Sequence, residues 1–393
     1  MCGIVGYVGS KKIANDFVLS GLQALEYRGY DSAGVANILN GKPSVTKQVG
    51  RVEGLLEQIK ANGNPKASIA IGHTRWATHG APTVNNSHPH FNSDRTVYVV
   101  HNGIVENYQE LKAHLQSKGY RFTSQTDTEV IPHLIDHYLQ KEKSFAKAFE
   151  QAIKDLEGAY AIAALSTHEP DKLFVARLSS PLVIGVGNEE YFLASDATAL
   201  MDQTKKVIYL DDYEIAEITA GDIRIHNFRK AAEVHRESEE LDYDAEKSTL
   251  GDFPHYMLKE IYEAPQTIQA ASRGRIRPEL NTVKLGGLES VSEQLRYIER
   301  IVIVACGTSY YAGLVGEYLM EEIAGIPVEV QLASEFKYRN EPFSRSTALL
   351  AVSQSGETAD TIAAIKKVEN YGVLKLGIVN AVGSTIARIT DAG

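Results

Sequence analysis

MCGIVGYVG, residues 1–9, opens the chain and sets its reading. Cys2 is followed by glycine and then by the apolar run IVGYV, which has the composition and length of a strand. A cysteine at position 2 becomes the first residue once the initiator methionine is removed, and a small second residue permits that removal. It then carries both a thiol and a free α-amine. The amine, with an unperturbed pKa of about 8, can take the thiol proton directly or through water, so the nucleophile needs no separate histidine base. A buried cysteine serving as a small hydrophobe is the alternative reading of position 2 alone. On the nucleophile reading, the strand seats the new terminus in a buried sheet, and Gly3 leaves room for a substrate.

The other cysteine, Cys306, is far away in sequence, so no disulfide framework is expected. Reduced thiols fit a cytoplasmic address. The 393 residues suffice for two or three domains. Hydrophobic content of 44% and charged content of 23% are those of a packed globular protein. A formal net charge of -10 disfavours a nucleic-acid or anionic-membrane binder. No apolar run approaches the ~20 residues that cross a bilayer, and the N-terminus lacks the pattern of a secretory signal.

Residues 1–240 read as one β-rich unit. The runs IVGYV, SIAIGH, TVYVVHNG, AYAIAAL, KLFVARL and PLVIGVG are bounded by turn residues. KIANDFVLSGLQALEY and TEVIPHLIDHYLQKEK carry helical spacing. Layered sheets with helices outside them fit this pattern. Residues 241–289 form a polar connector and a lead-in helix, HYMLKEIYEAP, with Met257, Leu258, Ile261 and Tyr262 on one side. From 290 to 393 strands and helices alternate, which predicts a parallel, doubly wound sheet. The closing STIARITDAG reads as the start of a further helix-and-strand passage. A sheet stopping there would leave an edge uncovered.

Four loops of the first unit carry chemistry. LEYRGYDSAGVA (25–36) holds Arg28 and Asp31, and IGHTRWATHGAPT (71–83) holds Arg75, Trp76, Thr78 and His79. VHNGIVENY (100–108) places Asn102-Gly103 after a strand, and TSQTDTEV (123–130) places Asp127 before a helix. Attack of a thiol on an amide needs an oxyanion hole, which an asparagine amide and a nearby backbone N–H can form. An amino-acid substrate also needs a cation for its carboxylate and an anion for its ammonium group, roles open to Arg75 and Asp127. Taken singly each has a plainer reading: Asn-Gly as a tight turn, Asp127 or Thr126 as a helix cap, Arg75 as an ion-pair partner, Trp76 as packing. His73, His79, His88, His90 and His101 fall within 29 positions, but without HExxH, CxxC or matching carboxylates no metal is expected.

Together, MCGIVGYVG, LEYRGYDSAG, GHTRWATHG, HPH, HNGIVENY and SQTDTEV resemble the class II, N-terminal-nucleophile glutamine amidotransferases, and within them the sugar-phosphate aminotransferase branch. Gln125 departs from the family pattern beside Asp127. The resemblance implies an αββα N-terminal-nucleophile hydrolase fold and no cofactor. It implies that Cys2 attacks the glutamine side-chain amide to give a γ-glutamyl thioester, with Asn102 and Gly103 stabilising the tetrahedral intermediate. By the same resemblance Arg75 holds the substrate carboxylate and Asp127 its ammonium group, Thr78 and His79 line the pocket, and Trp76 gates the ammonia path. Arg28 and His88 lie in family motifs and support the site without an assigned role.

In the last 104 residues, CGTS (306–309) and SQSGET (353–358) each follow a strand and precede a helix. Hydroxyls and backbone N–H groups there suit a phosphate. Neither loop has the spacing of a nucleotide motif, and helix capping alone explains any single residue. Both loops resemble the sugar isomerase (SIS) domain. That resemblance makes Thr308, Ser309, Ser353, Gln354, Ser355 and Thr358 the holders of the phosphate of fructose 6-phosphate. It further implies two SIS units and a homodimer, of which this chain carries most of the first unit. The residues of sugar isomerisation fall outside it.

The implied activity is transfer of the glutamine amide nitrogen to fructose 6-phosphate, giving glucosamine 6-phosphate and glutamate. The present chain is expected to hydrolyse glutamine at best. A stand-alone glutaminase and a non-catalytic sugar-phosphate sensor are the alternatives. A phosphoribosyl-pyrophosphate amidotransferase would need an acidic diphosphate loop that the sequence lacks.

Overall fold

The computed structural model describes residues 2–26, 29–77, 80–240, 253–381 and 383–393. The chain divides into two compact units, Met1–Leu241 and Asp242–Gly393. No helix among the described residues is long and apolar enough to cross a membrane.

The first unit contains β1 (Gly3–Gly9), α1 (Ala14–Ala24), β2 (Ser32–Leu39), β3 (Lys42–Val49), α2 (Val52–Ala61), β4 (Ile69–Arg75), β5 (His90–Phe91) and β6 (Val97–Val105). There follow α3 (Tyr108–Ser117), α4 (Val130–Leu139), α5 (Phe145–Lys154), β7 (Gly158–Ser166), β8 (Glu169–Leu178), β9 (Val183–Val186) and β10 (Glu190–Ala194). It closes with β11 (Lys206–Tyr209), β12 (Glu214–Ile218), β13 (Ile223–Asn227), β14 (Ala232–Val234) and β15 (Glu239–Glu240). One antiparallel sheet has the order β15-β11-β9-β10-β1-β4-β2-β3, the other β14-β13-β12-β8-β7-β6-β5.

Two-residue periodicity explains how these sheets stack. On β1, Ile4 and Val8 face the second sheet, and Val5 and Tyr7 face α1 and α2. On β6, Tyr98 and Val100 meet the first sheet, and Val97 and Val99 meet the layer of α4 and α5. Both sheets are thus buried on both faces, giving the αββα sandwich. Each fully buried aliphatic side chain contributes about 1.5–3 kcal/mol to holding the layers together.

Strand β1 is central and paired on both sides, to β4 and to β10. Ser195 ties it down further: its Oγ accepts from the Ile4 N–H at 3.0 Å, and its own N–H donates to the Ile4 carbonyl at 3.0 Å. Gly3 has a packing reason, contrary to the expectation that it makes space for a substrate. A Cβ there would lie 2.7 Å from Thr74 Oγ1 and 2.9 Å from Leu25 Cβ.

The second unit contains α6 (Tyr256–Ser272), β16 (Ile276–Arg277), β17 (Thr282–Val283), α7 (Ser292–Leu295), β18 (Arg300–Ala305), α8 (Gly307–Ala324), β19 (Val328–Leu332) and α9 (Ala333–Phe336). β20 (Thr347–Ser353), α10 (Ala359–Lys367), β21 (Leu374–Val379) and α11 (Thr385–Ile389) complete it. The parallel sheet has the order β19-β18-β20-β21. Val302 and Val304 face α9, α10 and α11, and Ile303 packs with Val291 on the other face, so this sheet too is covered on both sides.

Two local expectations change. Helix α6 runs on through Pro265 to Ser272, well past the stretch read as the lead-in helix. The first unit's sheet reaches its expected limit, with Glu239 and Glu240 pairing with Val207 and Lys206, and residues 241–252 of the connector lie outside the described residues. The edge at β21 is not bare, because the Asp391 N–H donates to the Lys375 carbonyl at 2.8 Å and the Gly377 N–H to the Ala392 carbonyl at 2.9 Å.

Candidate active site

Cys2 sits half-buried at the head of β1. Its Sγ accepts from the Trp76 N–H at 3.2 Å and lies 3.5 Å from the Trp76 carbonyl. Across the gap between the sheets, Asn102 Nδ2 donates to the Cys2 carbonyl at 3.1 Å. Asn102 is buried, while Gly103 beside it is exposed. The Asn-Gly pair lies within the β6 ladder opposite β7, not in a hairpin turn. Gly103 has φ of 127°, and a Cβ there would lie 1.9 Å from the Ala159 carbonyl oxygen. Only glycine fits that close approach.

Arg75 ends β4 and is buried. Its guanidinium donates to the carbonyls of Gly80 at 3.1 Å and Ala81 at 3.3 Å, which holds those two residues against it. Burial pulls its pKa down, and the nearby Cys2, Asp31 and Asp127 oppose that effect. A cation, two carboxylates and the thiol therefore share one neighbourhood.

Asp127 is also buried, and its Oδ2 accepts from the Val105 N–H at 2.8 Å. Neither it nor Thr126 caps α4; the cap position is Glu129, with no side-chain cap. Thr126 Oγ1 instead meets His90 Nε2 at 3.1 Å. Sequence reasoning passed over Glu129, which accepts from Thr123 N and Oγ1 and from Ser124 N and Oγ at 2.6–2.9 Å. Burial alone would raise its carboxyl, yet the His133 ring 3.9 Å away and the hydrogen bonds from Ser124 and Thr123 hold it below the usual range. Gln125, the departure from the family pattern, pairs with Asn86: Gln125 N donates to Asn86 Oδ1 at 2.9 Å, and Asn86 Nδ2 donates to Gln125 Oε1 at 3.2 Å. That pair joins the 123–127 loop to the segment following Arg75.

Trp76 is 47% and Tyr30 48% exposed, and their rings meet edge-on at 5.9 Å. His73, His88, His90 and His101 are buried and hydrogen-bonded within the protein. Among the described residues no group of three or more side chains is arranged to hold a metal. Arg28, Thr78 and His79 lie outside the described residues.

The second cluster is at the carboxyl ends of β18 and β20, adjacent parallel strands with Val304 opposite Ala351. From β18 the chain goes to β19 on one side and later to β20 on the other, so the crevice between the two loops is the topological switch point. Thr308 and Ser309 fall in the first turn of α8. Ser353 Oγ accepts from the Gly356 N–H at 3.0 Å and lies 3.3 Å from Thr358 Oγ1, and Ser355 Oγ accepts from the Glu357 N–H at 3.2 Å. Gln354 is exposed. Thr358 occupies the cap position of α10, yet its side chain makes no cap bond.

Residues 73–202 match the glutamine amidotransferase domain family, and residues 294–393 match the SIS domain family. The chain is 47% identical, along its whole length, to the glutamine–fructose-6-phosphate aminotransferase [isomerizing] of Chlorobaculum tepidum, and covers 64% of that protein. It is 45% identical to the protein of the same name from Clostridium acetobutylicum, again over all of this chain and 63% of the relative. Among solved structures, glutamine phosphoribosylpyrophosphate amidotransferase from B. subtilis superposes with a TM-score of 0.52 at 18% identity, covering 96% of this chain and 81% of that one. That likeness is one of fold. The chain thus spans less than two thirds of the relatives it matches by sequence. With both domain families matched in order and this identity along its whole length, the chain belongs to the family of the glutamine–fructose-6-phosphate aminotransferases.

Proposed function

We propose that the first unit releases ammonia from glutamine with Cys2 as nucleophile. In the longer protein that nitrogen passes to fructose 6-phosphate held by the SIS unit, giving glucosamine 6-phosphate and glutamate. The observation that carries the reading is the Asn102 amide, whose N–H end faces the Cys2 main chain at 3.1 Å.

With Met1 removed, the α-amine of Cys2 takes the thiol proton and Sγ attacks the side-chain carbonyl carbon of glutamine. The oxyanion is met by Asn102 Nδ2–H and the Gly103 N–H. The intermediate collapses to the thioester as the proton returns from the ammonium to the departing nitrogen, which leaves as ammonia. Water then cleaves the thioester, restoring the thiol and releasing glutamate. Arg75 pairs with the substrate carboxylate, Asp127 with its ammonium group, and Trp76 covers the site. Thr78, His79, Arg28 and His88 enter this reading through the family motifs. Thr308, Ser309, Ser353, Gln354, Ser355 and Thr358 hold the sugar phosphate.

The isomerising residues belong to the part of the family's length that this chain does not span. This chain therefore acts as a glutaminase, and the whole protein works as a cytoplasmic homodimer. The domain limits that go with this are 1–240 for the glutaminase, 241–289 for the connector and lead-in helix, and 290–393 for the SIS part. The test is glutamate release from glutamine by the purified chain, its Cys2→Ala variant, and protein with a retained N-terminal tag. The reading expects activity only in the untagged parent. Full activity with the tag would leave Cys2 an ordinary packing residue. Glucosamine 6-phosphate formed by the 393-residue chain alone would refute the restriction to glutaminase.

A further inference from the structure

His73 pairs with Ile4 in the β1–β4 register, and its ring reaches β6 in the second sheet. Nε2 lies 3.1 Å from the His101 carbonyl oxygen and 3.0 Å from Asn102 Oδ1. The carbonyl can only accept, so Nε2 must carry the ring proton. Nδ1 is then bare, and it is buried with no hydrogen-bond partner. The ring is stacked on His88 at 4.0 Å and 15°, and His88 is fixed in turn by accepting from the His101 N–H at 3.2 Å through Nδ1. Burial holds the His73 pKa down to about 3, so the ring stays neutral at physiological pH.

The Asn102 amide has a donor end and an acceptor end, and only one arrangement suits its two neighbours. Oδ1 faces the His73 N–H, and Nδ2 faces the Cys2 carbonyl. Turned by 180°, the amide would set N–H against N–H and oxygen against oxygen.

We propose that His73 is a positioning residue: by donating from Nε2 to Asn102 Oδ1 it locks the amide with its NH2 end toward Cys2, so that the oxyanion hole offers a donor and not a carbonyl. The inference rests on the glutaminase reading above.

The experiment is a double-mutant cycle on glutamate release, with His73→Leu, Asn102→Ala and the double variant. Removing one oxyanion donor lowers kcat by about 10²–10³-fold. His73→Leu is expected to lower kcat by about 10²-fold with KM within about threefold, and the double variant to fall within about threefold of Asn102→Ala alone. His73→Gln, which keeps an amide donor, is expected to recover most of the lost turnover. Alkylation of Cys2 by iodoacetamide should proceed at the parent rate in His73→Leu, because the thiol itself is untouched. If the leucine variant lacks a thermal transition, His73→Asn, whose amide is too short to reach, replaces it in the cycle. Multiplicative losses in the double variant, a KM that rises with the fall in kcat, or a glutamine variant no better than leucine would each overturn the role of His73. Activity surviving Cys2→Ala would instead overturn the glutaminase reading, so the two failures are told apart.

Discussion

Asp31 Oδ2 accepts a 2.7 Å hydrogen bond from the Ala77 N–H. The Asp31 N–H in turn donates to the Arg75 carbonyl at 3.0 Å. Trp76 is thus held between two attachments to one residue, and the same residue steadies the end of β4 from which Arg75 projects. A hydrogen bond to a charged group contributes about 1.5–3 kcal/mol. Asp31→Ala is expected to raise the KM for glutamine at least about tenfold, through the loosened Arg75, and to lower the thermal midpoint by several degrees. Steady-state kinetics and a melting curve check both; an unchanged KM would show that Arg75 needs no such support.

Gly103 and Gly41 both have positive φ, at 127° and 74°, but only Gly103 has a backbone atom in the way of a Cβ. Gly103→Ala should therefore cost more than about 3 kcal/mol, and Gly41→Ala about 1 kcal/mol. Denaturant midpoints compare them. Equal losses would mean that the Ala159 carbonyl yields easily.

Acid should weaken the first unit early. Burial holds His73 down to about 3 and His88 and His90 well below the ordinary histidine value. An unfolded histidine titrates near pH 6.5. Between the folded and unfolded values, the unfolded chain binds protons that the folded chain refuses. Stability is therefore complete above about pH 6.5 and falls as the pH drops, by about 1.4 kcal/mol per pH unit for each such histidine. Carboxylates such as Glu129 add their loss only below about pH 4.5. A thermal midpoint at pH 5.0 equal to that at pH 7.5 would contradict the buried neutral cluster.

In the second unit, Thr358 makes no side-chain cap to α10, so its removal should leave stability within about 0.5 kcal/mol. Its affinity effect should be larger. Thr358→Ala and Ser355→Ala are each expected to weaken fructose 6-phosphate binding about tenfold. Calorimetric titration with the sugar phosphate decides, and parent-like affinity in both variants would remove the SQSGET loop from the binding site.

The αββα and doubly wound layers were legible because central strands such as β1, β7 and β18 are compact apolar runs and α1 and α4 carry their spacing locally. The loops around Cys2, Arg75, Asn102 and Asp127 were legible as motifs. What escaped is held by distant partners. Ser195 anchors Ile4 from 191 positions away and leaves no local trace. The histidines suggested a metal alternative, and their burial against Thr126, Thr128 and Asn102 emerges only when β4 and β6 meet face to face. Gly3 invited a reading from the substrate's side, whereas Thr74 and Leu25 decide it.

The central place of β1 has a consequence for how the protein is made. Its neighbours are β4, which ends at residue 75, and β10, which ends at residue 194. A chain emerging from the ribosome produces β1 before either neighbour and must add nearly two hundred residues before both sides of that strand can close. Pairings of such long range form slowly. The strand that carries Cys2 at its head is therefore made well before its partners and is among the last to be seated, so during synthesis that thiol is exposed until β4 and β10 arrive.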